Sequence, residues 1–437
     1  MIKVRYGVAP DHQDVKNVIN SFTETLKHKN VNFFGNVNIG SDLKIEDLLN
    51  AYNAVVLAYG SHSENYLNIK GEKDFENLVS AKDIVSLYNG LPDSERIKLD
   101  ITGRNAVIIG AGNVAIDIAR ILLSPIDKLA QTDISAKTLD LFKEKRKIEN
   151  VTIVARRGVL NAAFTLKELR ELTKIESIQC KIDLKQFQDI NIDHILNKLA
   201  RPRKRITEYM YNLAKSSSSL PNDFNKKTIN FMFLRTPVEI LGNNIVNSKQ
   251  VSGVKFKVNK YAVDFTSKDL KLDTEEALNA LKVIDDNEKT IENIPADLVV
   301  RSIGYKNVNI DDSVPFDKKL GVVLNQRGKV VGKDGLYCTG WIKRGPRGVI
   351  VDTTSDAYET AHQLCNDLVK LDSSNQELQN KAGTVKILNL LKERNVRVVD
   401  KVGWNKIDEE EKRRGKEVGK PREKFQSIDE MLSIALK

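Results

Sequence analysis

The run Ala106-Val107-Ile108-Ile109, followed at once by Gly110-Ala111-Gly112-Asn113-Val114-Ala115, constrains this chain more than any other stretch. A continuous apolar run of this length suits a strand covered on both faces, as strands of parallel sheets are. Each small residue of the turn has a physical use. Gly110 permits the tight turn, Gly112 lets the backbone come close to a diphosphate, and Ala115 lets helix and strand pack closely. Val114, Ala115, Ile118, Ala119 and Leu122 then recur at helical spacing, with Pro125 just past the last of them. The amino end of that helix carries unpaired N–H groups and a positive dipole, so it attracts the diphosphate, with Ala111, Asn113 and Val114 beside it. Strand, glycine turn and amphipathic helix together are far more specific than a glycine motif alone.

A further apolar run, Val151 to Ala155, ends in Arg156-Arg157-Gly158. At this place dinucleotide-binding proteins that select NAD put an acid for the ribose 2′-hydroxyl, whereas two guanidinium groups suit a 2′-phosphate. The competing reading is a pair of surface arginines on a loop; their position at the end of a strand favours the phosphate. Asn105 to Gly158 therefore predicts a unit that prefers NADP(H) to NAD(H). Arg156 lies 44 residues after Gly112 instead of the roughly 20 that the simplest form of the motif has. Ser124 to Asn150, largely helical in pattern, accounts for the extra length.

Elsewhere Val15 to Leu26 has helical periodicity, Val31 to Val37 reads as a short strand and Ile45 to Tyr52 as a helix. Ala54 to Ala58 is another strand-like apolar run ending in Tyr59-Gly60. Lys215 to Ser219 has the composition of a flexible link. Thr228 to about Val258 alternates polar and apolar residues, which predicts antiparallel strands. A helix is expected from about Ala357 to Leu371, and the charged tail Lys401 to Lys424 reads as solvated. Strands separated by helices predict an α/β fold with parallel sheets, and 437 residues call for two or three domains.

Several function classes drop out. No run approaches the roughly 18 apolar residues that cross a bilayer. Cys180, Cys338 and Cys365 are too far apart to form a CxxC pair, so neither a zinc nor an iron–sulfur site is expected, and no metal is called for. The net charge of +10 suits an acidic partner, but no basic motif studded with aromatic residues argues for nucleic acid. Met1 to Pro10 carries neither an apolar secretory core nor an Arg- and Ser-rich amphipathic helix.

Five strings resemble one family, the NADPH-dependent reductases of adrenodoxin and related mitochondrial ferredoxins. They are Val4 to His12 (VRYGVAPDH), Gly112 to Asp117 (GNVAID), Phe164 to Glu171 (FTLKELRE), Arg201 to Arg205 (RPRKR) and Gly340 to Ile350 (GWIKRGPRGVI). They stand in the family's order and span nearly the whole chain. The resemblance implies two Rossmann-like nucleotide-binding domains, with an NADP domain at 103–330 inserted into an FAD domain made of 1–102 and 331–437. It also implies an electron path from NADPH through FAD to a [2Fe-2S] ferredoxin, serving cytochromes P450 or iron–sulfur assembly, in the mitochondrial matrix or on the matrix side of the inner membrane. Flavin suits this work because it accepts electrons in pairs and donates them singly.

Carried over by residue, the resemblance puts Ala111 to Val114 on the NADP diphosphate, Arg156 and Arg157 on the 2′-phosphate, and Glu168 on the NADP as well. Ile39, Trp341, Gly348, Val349 and Ile350 match FAD contacts, Gly348 at the nicotinamide end. Trp341 has a plainer alternative as a core aromatic. His12 and Asp117 match residues near flavin and nicotinamide that help handle protons, against the alternative of an exposed histidine and a helix-surface aspartate. Arg201 and Arg205, with Arg170, would meet the acidic ferredoxin, against the alternative of a solvated turn.

The family begins with a further strand, glycine turn, helix and strand that hold the FAD diphosphate, and this sequence starts after their counterpart; a presequence would also lie upstream. One expectation is an active flavoenzyme represented by a short isoform or an incomplete chain. The other is a non-catalytic product that keeps NADP binding and ferredoxin docking. A glutamate synthase small subunit, the third reading, would need cysteine clusters. Nothing in the sequence sets the oligomeric state.

Overall fold

The computed structural model describes residues 2–219, 223, 225–245, 248–267, 269–286, 291–348, 350–373 and 381–437. The chain forms two compact units, one of residues 1–22, 66–303 and 409–430, the other of residues 23–65, 304–408 and 431–437.

The first unit is built on a six-stranded sheet. In chain order the strands are β1 (Leu78–Ser80), β2 (Asn105–Ile109), β3 (Asn150–Val154), β4 (Ile178–Ile182), β5 (Lys227–Met232) and β6 (Leu298–Arg301). Their spatial order is β1-β6-β2-β3-β5-β4, parallel throughout. The apolar run of β2 is buried on both faces because successive side chains alternate. Ala106 and Ile108 join the core under α1 (Asn113–Leu123), whereas Val107 and Ile109 pack with Val251, Val254 and Phe256 of a long hairpin. That hairpin, Arg235–Ile245 with Ser248–Tyr261, is antiparallel. The alternation from Thr228 to Val258 thus divides into one parallel strand, β5, and this hairpin.

Other expectations need correction. Val15 to Leu26 is not one helix but two, Gln13–Lys16 and Ile19–Lys27, and Lys16 at the end of the first is buried against Asp133 at 2.6 Å. Val31 to Val37 forms no strand, and its sheet-like pairing is a single bridge between Gly35 and Val399. Lys215 to Ser219 is no link but the end of α3 (Arg201–Ser219). There the hydroxyls of Ser216, Ser217 and Ser218 donate to carbonyls of Leu213 and Ala214, which lets serine persist in a helix. The tail is not simply solvated: Lys401–Glu417 is a helix, and Glu411, Lys420 and Lys424 are buried.

The second unit holds a four-stranded sheet in which Val55–Leu57 lies at one edge, parallel to Leu336–Cys338. Its core gathers Ile45, Val55, Leu57, Val323, Leu336 and Ile342. Val56 points the other way and is 44% exposed, so this strand is covered on one face rather than both. The expected helix near Ala357 runs from Ile350 to Ser373. No helix among the described residues is long and apolar enough to cross a membrane.

Candidate functional site

Gly110 leaves β2 with φ +117°, and a Cβ there would overlap the carbonyl oxygen of Ser302. Only glycine fits both the dihedral and the space. Gly112 caps α1 without a side chain to satisfy the helix's first N–H groups, and a Cβ on it would meet open space. The turn is fixed from outside, by Ala163 N donating to Ala111 O at 3.0 Å and Thr165 N to the Asn113 side chain at 2.8 Å. An open helix amino end approached by glycine is the arrangement that a diphosphate requires. Val114, next in α1, is half-buried against the core of the sheet.

Arg156 and Arg157 follow β3 at the same end of the sheet. Their loop is pinned at the main chain by Asn259 Nδ2 donating to Arg156 O and by Leu234 N donating to Arg157 O, both at 3.2 Å. Gly158 lies so close to the Tyr261 ring that a Cβ would collide with it. Arg156 is exposed, whereas Arg157 is half-buried and donates to Asn279 Oδ1 at 2.6 Å. Burial, with Arg156 and Arg203 nearby, pulls the Arg157 pKa below its ordinary value. Two guanidinium groups at this place offer charge-assisted donors of the kind that a dianionic phosphate accepts.

A second centre forms around His12, which begins the helix Gln13–Lys16. His12 Nε2 is 2.9 Å from Glu171 and 3.7 Å from Glu168, and Nδ1 is 4.0 Å from Asp117. Arg120, only 4% exposed, donates to Asp11 at 2.6 Å and to Asp117 at 2.7 Å and lies 3.5 Å from Glu168. Asp117 stands on α1 and Glu168 on the first turn of α2 (Leu166–Thr173), which Thr165 caps. Asp117 is pushed above the ordinary carboxylate range by burial, against the pull of Arg120 and His12. Glu168 is raised by burial and by Asp117. His12, Asp117 and Glu168 could reach a common cation, since their ligating atoms lie within 4.8 Å of one another, but the Arg120 guanidinium already supplies positive charge there. A cleft of about 390 Å³ opens beside this centre, lined by Asp11, His12, Arg120, Lys128, Lys167 and Glu171 among others.

The structure thus brings His12, Asp117 and Glu168 together. Arg120, Asp11 and Glu171 were not among the sequence candidates. The spacing Asp117–Arg120 and Glu168–Glu171, each one helical turn, was the available signal.

Arg170, Arg201 and Arg205 are exposed. Arg170 on α2 lies over the Tyr209 ring of α3 at 5.4 Å, and Arg205 and Arg201 precede Tyr209 by four and eight residues in that helix, so their spacing puts them along the same helix face. Arg203, between them in sequence, turns inward.

In the second unit Trp341 opens the short helix Trp341–Arg344 and packs against Tyr305 with the rings tilted at 35° and centroids 5.6 Å apart, while its carbonyl accepts from Asn307 at 2.6 Å. Ile39 packs on the core of this unit. Gly348 is exposed and precedes the 24-residue helix that starts at Ile350, an amino end suited to the edge of an isoalloxazine ring. Val349 lies outside the described residues.

Both the sequence and the fold have known relatives. The family model described as pyridine nucleotide-disulphide oxidoreductase matches residues 12–188. The chain is 41% identical over 441 residues to the mitochondrial NADPH:adrenodoxin oxidoreductase of Salvelinus fontinalis, covering 99% of this chain and 83% of that protein. Identity to the Homo sapiens protein of that name is 38% over 437 residues, covering 99% and 84%. Among solved structures, Mycobacterium tuberculosis FprA in complex with NADPH superposes with a TM-score of 0.88 at 33% identity, covering 100% of this chain and 90% of that one.

Proposed function

The chain belongs to the family of NADPH:adrenodoxin oxidoreductases, and from that premise we propose that it passes electrons from NADPH through FAD to an acidic [2Fe-2S] ferredoxin of adrenodoxin type. It is an oxidoreductase whose cofactors are NADP(H) and FAD. The observation that carries the reading is the open amino end of α1 at the same end of the sheet as the pair Arg156 and Arg157, which follows the neighbouring parallel strand β3. Backbone N–H groups from Ala111 to Val114 hold the diphosphate, and the two arginines grip the 2′-phosphate. Ile39, Trp341, Gly348, Val349 and Ile350 hold the flavin, which when bound converts a two-electron donor into single-electron deliveries. His12, with Glu171 on Nε2 and Asp117 toward Nδ1, can hold a proton at either ring nitrogen; Glu168 serves both this centre and the NADP. The residues proposed for NADP all fall in the unit of residues 1–22, 66–303 and 409–430, and those proposed for FAD in the unit of residues 23–65, 304–408 and 431–437, so the NADP domain is drawn around 66–303 in place of the 103–330 expected from sequence. The names of the relatives support a mitochondrial location, in the matrix or on its membrane face.

The test is spectroscopic. The chain supplied with FAD should show the oxidised-flavin spectrum and lose it when NADPH is added without oxygen. A flavin that binds but resists NADPH, or no flavin binding at all, would sink the catalytic reading and leave a nucleotide-binding product.

Docking has its own expected result. Reversing charge at Arg201 and Arg205 together should slow reduction of an acidic ferredoxin by at least about tenfold at low salt, less at high salt. Reduction of a small neutral dye should stay unchanged. Equal loss with both acceptors would place the defect in the electron path instead of the docking surface.

A further inference from the structure

The basic run at the start of α3 splits by direction. Arg201 and Arg205 are exposed, but the Arg203 side chain is only 14% exposed. Its Nη1 donates to the carbonyl of Ala162 at 2.5 Å, and its Nη2 meets both oxygens of Glu275 at 3.0 and 3.1 Å. Its Nε is buried with no partner among the described residues. Ala162 closes the turn Val159–Asn161 that directly follows Arg156-Arg157-Gly158, so Arg203 holds the far end of the same loop.

Glu275 and Asn279 are the first and last residues of α4 (Glu275–Asn279). At this spacing two side chains stand one above the other on one helix face, with Cβ atoms roughly 5–6 Å apart. Glu275 carries Arg203 and Asn279 carries Arg157, so α4 holds the two guanidinium groups side by side. Glu275 is 62% exposed, and a carboxylate so well hydrated neutralises its partner weakly. The Asn161 side chain donates to Leu278 O at 2.7 Å and so ties α4 to the loop.

We propose that Arg203 is a third cation of the 2′-phosphate pocket, aligned with Arg157 by Glu275 and Asn279, and that it sets selectivity for phosphorylated over unphosphorylated dinucleotides. This rests on the reading that Arg156 and Arg157 grip that phosphate. Burial, then the fields of Arg156 and Arg203, lower the Arg157 pKa, so an incoming phosphate dianion would relieve repulsion among these guanidinium groups as well as pair with them.

The test titrates the full chain with adenosine 2′,5′-bisphosphate and, separately, with 5′-AMP, neither of which depends on flavin. Arg203→Met should weaken the bisphosphate about tenfold and leave 5′-AMP within about twofold, and Arg203→Lys should recover part of the loss. Glu275→Gln, which frees Arg203 of its carboxylate, should tighten the bisphosphate roughly threefold. Arg203→Met that leaves bisphosphate affinity unchanged, or weakens both nucleotides alike, overturns the proposal. Should Arg203→Met fail to fold, Glu275→Gln decides, because unchanged or weaker bisphosphate binding overturns the proposal too. Arg156→Glu is the control. If it also leaves bisphosphate binding intact, the parent reading has failed; if it alone abolishes selectivity, only the role of Arg203 has.

Discussion

Arg156→Glu is expected to cut kcat/KM for NADPH by about 100-fold while changing kcat/KM for NADH by less than about threefold. Two effects combine at one exposed position. A charge-assisted contact to the 2′-phosphate disappears, and a carboxylate then faces a dianion. Each is worth roughly one tenfold step, or about 1.4 kcal/mol, in a partly solvated site. Arg157 remains, still aligned by Asn279 at 2.6 Å, so some affinity for NADPH should survive. The NADH value is the informative control because, on the proposed reading, that nucleotide would use the same diphosphate cradle at Gly110 to Val114 but offer no group to position 156. Steady-state kinetics with both donors and one small dye decide the matter. Parallel losses would mean that the loop had moved, and unchanged selectivity would remove the arginine pair from the site.

How much of this site the sequence could reveal depends on how far apart its partners lie along the chain. The glycine turn was legible because strand, turn and helix are contiguous from Asn105 to Leu123, and each residue's demand is local. The arginine pair was legible through topology, since β3 lies next to β2 in the sheet. The acidic cage around Arg120 was not, because Asp11 lies 109 positions and Glu168 48 positions away. Periodicity speaks to which face is buried, and an arginine on a buried face reads as an error until its partners are known. The tail failed for the same reason. Charge runs usually stay in water, but here Glu411 accepts from Arg5, Arg422 and the main chain at Phe425, so a buried carboxylate is fully paired. The helix alternation that predicted parallel sheets held for the first unit, yet one face of its sheet is covered by a hairpin. A buried strand cannot tell which kind of layer covers it, because both present apolar side chains.

Asp133→Ala is expected to cost about 3–5 kcal/mol of stability and to lower Tm by roughly 10 °C at pH 6.5. Asp133 is 3% exposed and serves two buried cations, Lys16 at 2.6 Å and Lys424 at 3.0 Å. It thereby joins the His12-bearing segment and residues 420–425 to the same unit. Removing it strands two ammonium groups, whereas replacing Lys16, Asp133 and Lys424 together by apolar residues should recover most of the loss. The pH dependence gives the mechanism away. Burial, with Lys16 and Arg5 close by, already pulls Lys424 down to about 7, and Lys16 is lowered as well. Without the carboxylate both must fall further below the value they have in the unfolded chain. The unfolded state then binds more protons between those two values, so the stability of the variant rises with pH across that window. The parent's Lys424 gives up its own proton near 7, so the deficit of the variant should be largest below that pH and narrow as pH rises through it, and Lys16, also lowered in the parent, adds to the narrowing as it too deprotonates. Thermal unfolding of both proteins at pH 6.5, 8 and 9.5 measures this, and a deficit that stayed constant across that range would mean that lost packing, not stranded charge, carries the cost.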